Sequence, residues 1–224
     1  MKKFLFLVAA IAMANVAFAQ ENTNGDKTEV SSSVQTLETV GSLVQYGYEN
    51  YSATALVQAV ELYSTISTTA GQEGKSTEGG TDSAKDQKFS INVEELLKDA
   101  REFADGDEVI LAYIGKVEEA TKVSATTLGR VGGPSETHEC VLAGDTDVYR
   151  VRFYGDESAS VLVVGDGDTD LDLHVYDENG NLIDSDTDST DVCVCSWTPR
   201  WTGYFSIKIR NYGNVRNYYT MFIE

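Results

Sequence analysis

The sequence predicts an α+β protein with two domains, because the spacing of its apolar residues changes along the chain. In the first half, apolar side chains recur at the three- and four-residue spacing of amphipathic helices. Beyond a Gly- and Pro-containing segment, residues 129–136, they alternate with polar ones, as in antiparallel strands. We predict α-helical hairpins over residues 31–128, a linker over 129–136, and an antiparallel β-sandwich or jelly roll over 137–224.

The first 19 residues have the pattern of a cleaved export signal. Two lysines precede an apolar run from Phe4 to Ala14, and an A-x-A cleavage motif ends at Ala19. This run is too short for a membrane anchor, and no second apolar span follows it. We therefore expect a mature chain that begins at Gln20, has no membrane span, and is periplasmic or secreted. Residues 20–30 are expected to be a flexible N terminus.

The chain is strongly acidic, with 36 acidic and 17 basic side chains and a formal net charge of −19. Removal of the two lysines of the signal would take this charge to −21. An acidic surface argues against nucleic acid and anionic membranes as partners. It favours solubility and cation binding.

The helical half contains start signals and one long interruption. Ser52, or Asn50, is a candidate N-cap for a second helix, and Asn92 with Glu95 three residues later resembles a capping box. Residues 71–88 are rich in glycine, serine and charge and almost without apolar side chains, which predicts a flexible loop. Four amphipathic helices arranged as two hairpins would bury their apolar faces against one another.

In the second half, four motifs follow one another in a fixed order: "GDTDVYRVRF", "TDLDLHVYDENGNLI", "WTGYFSIKIRNYG" and "YYTMFI". Together they span about residues 136–224, and in order and spacing they resemble the bacterial prepeptidase C-terminal (PPC) domain. The resemblance implies a β-sandwich jelly roll that is usually appended to secreted proteases. It also implies a role in secretion, stability or substrate contact, and calcium binding in some members. No protease catalytic domain accompanies it in this sequence, and the helical half resembles no family that we recognise.

Closely spaced aspartates are the candidate metal ligands. Calcium takes six to eight oxygens, often from several loops, and mutual repulsion of so many carboxylates favours a counter-ion. The loop is not an EF-hand, because Leu171 occupies the position of the required glycine. A solvated strand edge is the alternative, and solvation is the preferred interpretation for residues 184–191. The candidate calcium ligands are Asp166, Asp168, Asp170 and Asp172, with Asp145 and Asp147 expected at the same end of the sandwich.

Three cysteines lie in the second half, and export would permit a disulfide. A bridge between Cys193 and Cys195 would be strained, so we predict that Cys140 pairs with Cys193, or alternatively with Cys195. A zinc site that also uses His138 is the competing interpretation, but the C-x-C spacing is not that of a zinc finger.

Aromatic side chains in and after "WTPRWTGYF" are candidates for partner contact. Trp197 falls on a strand and is expected in the core, whereas Trp201, Tyr204 and Tyr212 are predicted to form a binding face. Packing at a strand edge is the alternative for these side chains.

The sequence contains no HExxH, G-x-S-x-G, P-loop or dinucleotide motif. We therefore predict an exported, non-catalytic protein whose sandwich binds or stabilises an extracellular or cell-envelope protein or polysaccharide. The alternative is a secreted hydrolase, or an accessory subunit of one, with a pocket between the two domains that holds a carboxylate pair or a Cys–His contact. A third interpretation is a purely structural envelope protein.

Overall fold

A computed structural model describes four parts of the chain: residues 20–25, 28–79, 91–127 and 133–224. For residues 123–127 only the main chain is described. The predicted export signal, residues 129–132 of the predicted linker and residues 80–88 of the predicted loop lie outside the described residues. The prediction of an α+β protein with a helical half and a β-sandwich half is confirmed.

The described residues of the helical half form four α-helices: α1 (Ser32–Glu49), α2 (Ala53–Tyr63), α3 (Val93–Phe103) and α4 (Glu108–Thr127). Polar caps start the first three of them, since Ser31, Ser52 and Asn92 each accept a hydrogen bond from a main-chain N–H of the first turn. Of the two cap candidates before α2, the structure uses Ser52. No helix in the described part of the chain is long and apolar enough to cross a membrane.

In the described part of the chain, ten strands form two sheets of five. The helix-side sheet has the order β1-β3-β10-β5-β8, and the outer sheet has the order β2-β4-β9-β6-β7. The strands are β1 (Thr69–Ala70), β2 (Lys75–Glu78), β3 (Ser135–Val141), β4 (Thr146–Phe153), β5 (Ala159–Gly165), β6 (Leu171–Tyr176), β7 (Leu182–Asp186), β8 (Val192–Trp197), β9 (Gly203–Asn211) and β10 (Asn217–Ile223).

Alternation places one side of each central strand between the sheets. Leu171, Leu173 and Val175 of β6 are all buried there, as the sequence predicts, and Trp197 is also in this core. The opposite side of β5 is equally apolar, and its Leu162 belongs to the core cluster of the helices. The helices therefore cover the helix-side sheet, and the outer sheet keeps one face turned to solvent.

The predicted loop 71–88 differs from the structure in its first part. Lys75–Glu78 forms the edge strand β2, which pairs with Thr146–Tyr149 of β4. The polar sequence of β2 has little intrinsic strand propensity. Its main-chain groups instead form hydrogen bonds with the edge of β4 that β9 leaves open. The linker prediction is also displaced, because β3 already begins at Ser135.

The prediction of a flexible N terminus over residues 20–30 is wrong for its described part. Asn22 is fully buried: its side-chain oxygen accepts from the Trp201 N–H at 3.0 Å, and its amide donates to the Trp201 carbonyl at 3.1 Å. Arg200 Nε donates to the Thr23 carbonyl at 2.6 Å. A buried amide with both ends satisfied is stabilising, so this segment is fixed to the turn before β9.

The predicted disulfide is also wrong, since none of the three cysteines forms a disulfide. Cys140 lies on β3 and the other two on β8, with β10 and β5 between these strands. Three strand spacings amount to about 14 Å, whereas a disulfide needs Cα atoms within about 7 Å. Cys193 and Cys195 face the core between the sheets, and Val141, the neighbour of Cys140, also faces that core. Cys140 therefore faces the other way.

Candidate functional site

The solvent-facing side of the outer sheet collects cationic and aromatic side chains. Arg150 pairs with Ser206 and Arg152 with Tyr204 across β4 and β9, while Tyr176 of β6 lies beside Ser206 on the other side. The same alternation brings Lys208 and Arg210 to this side. We call this surface the cationic face and define it by Arg150, Arg152, Tyr176, Tyr204, Lys208 and Arg210.

The cationic face contrasts with the charge of the rest of the protein. After residue 131 the sequence has 17 acidic and 6 basic side chains. Four of those six cations lie on this one face, and only Arg200 and Arg216 lie elsewhere. Alternating positions on two neighbouring strands produce this concentration.

Aromatic rings hold the cations in place. The Arg150 guanidinium lies 4.1 Å from the centroid of the Tyr204 ring, and Lys208 Nζ lies 5.9 Å from that of Tyr176. Such cation–π contacts restrict long side chains while they leave their N–H groups available. The rings and cations, together with Ser206, line a cavity of about 520 Å³ with an acidic rim at residues 177–178.

Of the three aromatic side chains predicted to contact a partner, two are exposed as expected. Tyr204 is 44% exposed and Tyr212, just beyond the end of β9, is 63% exposed. Trp201 is instead half-buried, and its indole N–H donates to Glu178 Oε1 at 2.6 Å. Trp201 thus serves to anchor the N-terminal segment and the β6–β7 turn.

The predicted calcium ligands do not all come together. Asp147 is buried at the edge between the sheets, where it accepts hydrogen bonds from Thr77 at 2.8 Å and Tyr219 at 2.8 Å and pairs with Lys75 at 3.2 Å. Burial raises the pKa of Asp147, while Thr77 and Lys75 oppose that rise. Within the described ranges, no group of three or more His, Cys, Asp or Glu side chains is arranged as round a metal ion.

Asp166 and Asp168 lie instead with Asp191, which the sequence interpretation had assigned to solvent. Asp191 is 1% exposed, and its Oδ2 accepts from the Gly167 N–H at 2.6 Å and from the Asn217 amide at 3.1 Å. Its other oxygen, Oδ1, is buried without a hydrogen-bond partner. A Cβ at Gly165 would lie only 2.2 Å from Asp191 Oδ2, which explains the glycine there.

The pKa values at this end of the sandwich are raised. Burial raises the pKa of Asp166 to about 6, with a smaller contribution from Asp168 and Asp191. Burial also raises the pKa of Asp191, against the hydrogen bonds from Asn217 and Gly167. These carboxylates therefore lack enough positive charge nearby.

The remaining predicted ligands occupy neighbouring positions. Asp145 is buried with its Oδ2 unpartnered, and its carbonyl accepts from the Asn211 N–H at 3.0 Å. Asp172 lies at the start of β6, where burial raises its pKa and His174 opposes the rise. The Asp170 carbonyl accepts from the Tyr212 N–H. The predicted aspartates therefore lie towards one end of the sandwich, but Asp147 contacts Tyr219 and Lys75 there rather than the other carboxylates.

A second cavity of about 690 Å³ lies within the helical half. Its lining includes Tyr63, Val93 and Leu97, and every lining residue precedes the sandwich in the sequence. The Cys195 thiol faces the Leu173 carbonyl in the core, whereas His174 lies on the opposite side of β6 and stacks on Tyr176. The Cys–His contact expected of the hydrolase alternative is not formed by these two residues.

Comparisons with known proteins give a structural similarity for the second half of the chain. No family model matches the chain, and no curated protein matches it. The 1.0 Å crystal structure of the pre-peptidase C-terminal domain of a collagenase from Bacillus anthracis is similar over 42% of this chain and 92% of that chain, at 15% identity and a TM-score of 0.37. This is the class of domain that the motifs of the second half resemble.

Proposed function

We propose that this protein is an exported, non-catalytic binding protein whose cationic face contacts an extracellular or cell-envelope polymer or protein. The single observation that carries the proposal is the concentration of four cations and their stacked tyrosines on one exposed sheet face of an acidic protein. Arginine and tyrosine dominate the energetics of binding surfaces because they offer large contact areas with few lost degrees of freedom.

The position of the helical half leaves the outer sheet available for binding. The helices cover the helix-side sheet through Leu162, Val164 and Phe222, so the outer sheet is the one that keeps a free face. The packed helices thus support the sandwich from behind the cationic face.

Co-sedimentation with the washed, insoluble matrix of the producing cells tests the proposal. We expect the full chain to sediment with the matrix and Tyr204→Ala/Tyr212→Ala to lose most of that binding, at least tenfold, because both exposed rings are removed. Tyr46→Ala/Tyr51→Ala is the matched control, since these tyrosines are 55% and 74% exposed in the helical half. Equal binding by wild type and both variants would refute the proposal.

A calcium ion at the acidic end is the second part of the proposal. Asp191 Oδ1 is a buried carboxylate oxygen without a partner, and Asp166 and Asp168 stand beside it. Carboxylate oxygens from separate loops are the donors that calcium prefers. Because no three acidic side chains in the described ranges already surround an ion, binding would have to draw Asp166 or Asp168 towards Asp191, and the ion would supply the positive charge that these carboxylates lack.

The raised pKa of Asp166 predicts a pH-dependent stability in metal-stripped protein. The folded pKa of about 6 is above the ordinary value of 3.8 for an aspartate, so its stabilisation is complete below pH 3.8 and is lost as the pH rises through 6. We expect the melting temperature to fall between pH 4 and pH 7, and Asp166→Asn to flatten that fall. Calcium should restore stability at pH 7.5, by about 2.7 kcal/mol at a hundredfold excess over Kd.

Two variants make the calcium measurement decisive. Asp191→Asn should lose the calcium increment, and the exposed Asp105→Asn, at a turn in the helical half, should keep it. A calcium increment of the same size in Asp191→Asn and wild type would exclude this site.

A further inference from the structure

We infer that the ligand of the cationic face is an acidic polysaccharide, a chain of sugar rings that carry carboxylates. This inference rests on the proposed function and specifies its ligand. Its starting point is the state of Arg150 and Arg152, which are exposed and contact aromatic rings. Among the described residues, neither has a carboxylate within salt-bridge distance, although the chain has 36 acidic side chains.

The two other cations of the face differ in this respect. Lys208 pairs with Glu78 at 2.9 Å, and Arg210 donates to Thr146 at 3.1 Å. Intramolecular partners thus hold one edge of the face, while the guanidinium groups of Arg150 and Arg152 remain available. A guanidinium binds a carboxylate with two parallel hydrogen bonds, so these groups are suited to a planar anion from outside.

The spacing of the available cations suits a repeating anion. Arg150 and Arg152 are two residues apart on β4, about 7 Å along one strand. A polymer with a charge on each ring, laid along β4, presents carboxylates repeatedly along its length, so two of them come within reach of the long arginine side chains at the same time. Once one carboxylate of the polymer is bound, the next is held at a high effective concentration near the second arginine. Several weak contacts therefore combine into measurable binding.

The rings and the shape of the face favour sugars. Tyr204 and Tyr176 border the cavity of about 520 Å³, with the hydroxyl of Ser206 between them. Flat aromatic rings beside hydroxyl and charged groups match sugar rings, which have apolar faces and polar edges. The lining contains no aliphatic side chain that would bind an apolar peptide anchor, and its two carboxylates, Asp177 and Glu178, already accept hydrogen bonds from the Asn181 amide and the Trp201 indole N–H.

An acidic peptide fits the surface less well. The main-chain groups of β4, β9 and β6 already pair with one another in register, so this face cannot add an extended peptide as a further strand. Only side chains are available for contact here, and they are cations and aromatic rings rather than pockets for alternating peptide side chains.

Binding of the full chain to polygalacturonate, measured by biolayer interferometry, tests the inference. The comparison polymer is the fully methyl-esterified form, which has the same rings without the charge. We expect binding to polygalacturonate, at least tenfold weaker binding to the ester, and at least tenfold weaker polygalacturonate binding by Arg150→Gln/Arg152→Gln. The control Lys98→Gln/Lys116→Gln removes the same charge from exposed helix positions and should bind as wild type.

Each other outcome overturns the inference in a recognisable way. Equal binding to both polymers would mean that rings alone are recognised, and the proposed function would stand without this ligand. Equally tight binding to poly-glutamate would make the partner an acidic peptide. No binding to polygalacturonate would exclude the ligand alone if the tyrosine-dependent matrix binding persists, and the proposed function as well if that binding is also absent.

Discussion

Replacement of Lys75 by methionine is expected to lower the free energy of unfolding by about 3 kcal/mol at pH 7.5. Lys75 Nζ pairs with Asp147 at 3.2 Å and with Glu139 at 2.9 Å, and it donates to the Cys140 carbonyl at 3.0 Å. The Asp147 side chain is only 1% exposed, so loss of the ammonium leaves a buried carboxylate without its counter-charge. Chemical denaturation would measure the effect.

The loss should depend on pH in a defined direction. Burial already raises the pKa of Asp147, and removal of Lys75 takes away a group that lowers it. A raised folded pKa gives stability that is present at low pH and lost as the pH rises through that value. The destabilisation by Lys75→Met should therefore shrink towards pH 4.

Two further variants separate this effect from a general loss of charge. Lys75→Met/Asp147→Asn should recover much of the stability, because no unpaired charge remains buried. Lys122→Met breaks the exposed pair with Glu118 and should leave the free energy of unfolding almost unchanged. Equal losses in Lys75→Met and Lys122→Met would show that Asp147 is not buried as described.

The second large effect is expected at Gly41, where α1 approaches β5. A Cβ at this position would lie 2.8 Å and 3.0 Å from the two methyl carbons of Val164. Gly41→Leu should force the helix away from the helix-side sheet and destabilise the protein by about 2–3 kcal/mol, as overpacking does in well-packed cores. A thermal or denaturant melt measures this loss.

Gly115 of α4 provides the matched control for Gly41. A Cβ there meets nothing within 4 Å, so Gly115→Ala should stabilise the protein by up to about 1 kcal/mol through helix propensity alone. Tolerance of Gly41→Leu without loss of stability would contradict the close packing of the helices on the sandwich.

Local patterns were sufficient to predict much of the fold. The alternation in β6 and β9 correctly places Leu171, Leu173 and Phe205 in the core, and the cap at Asn92 starts α3 as expected. These features depend on residues within a few positions of one another, where periodicity and hydrogen-bonding chemistry act directly.

Features fixed by distant contacts were not predicted. Lys75–Glu78 forms a strand because the edge of β4 is available to it, and Asn22 is ordered by Trp201, 179 residues away in the sequence. The cysteine pairing failed for the same reason, since strand order in the helix-side sheet is set by long-range pairing.

The candidate site was predicted in part. Tyr204 and Tyr212 were identified, but the cationic face was not, although "RVR" in β4 and "KIR" in β9 place cations at alternating positions. Recognition of the face requires β4 and β9 to be neighbours, which the sequence does not specify. Asp191 was missed because its burial depends on Asn217 and the Gly167 loop.

Oxidative footprinting of the tyrosines with and without bound matrix tests the central claim most directly. Tyr204 and Tyr212 are exposed on and beside the cationic face, and Tyr51, 74% exposed in the helical half, serves as an internal reference. We predict that binding slows oxidation of Tyr204 and Tyr212 and leaves Tyr51 unchanged. Protection of Tyr51, or of Tyr63 in the helical cavity, with Tyr204 unchanged would place the binding surface elsewhere and contradict the assignment.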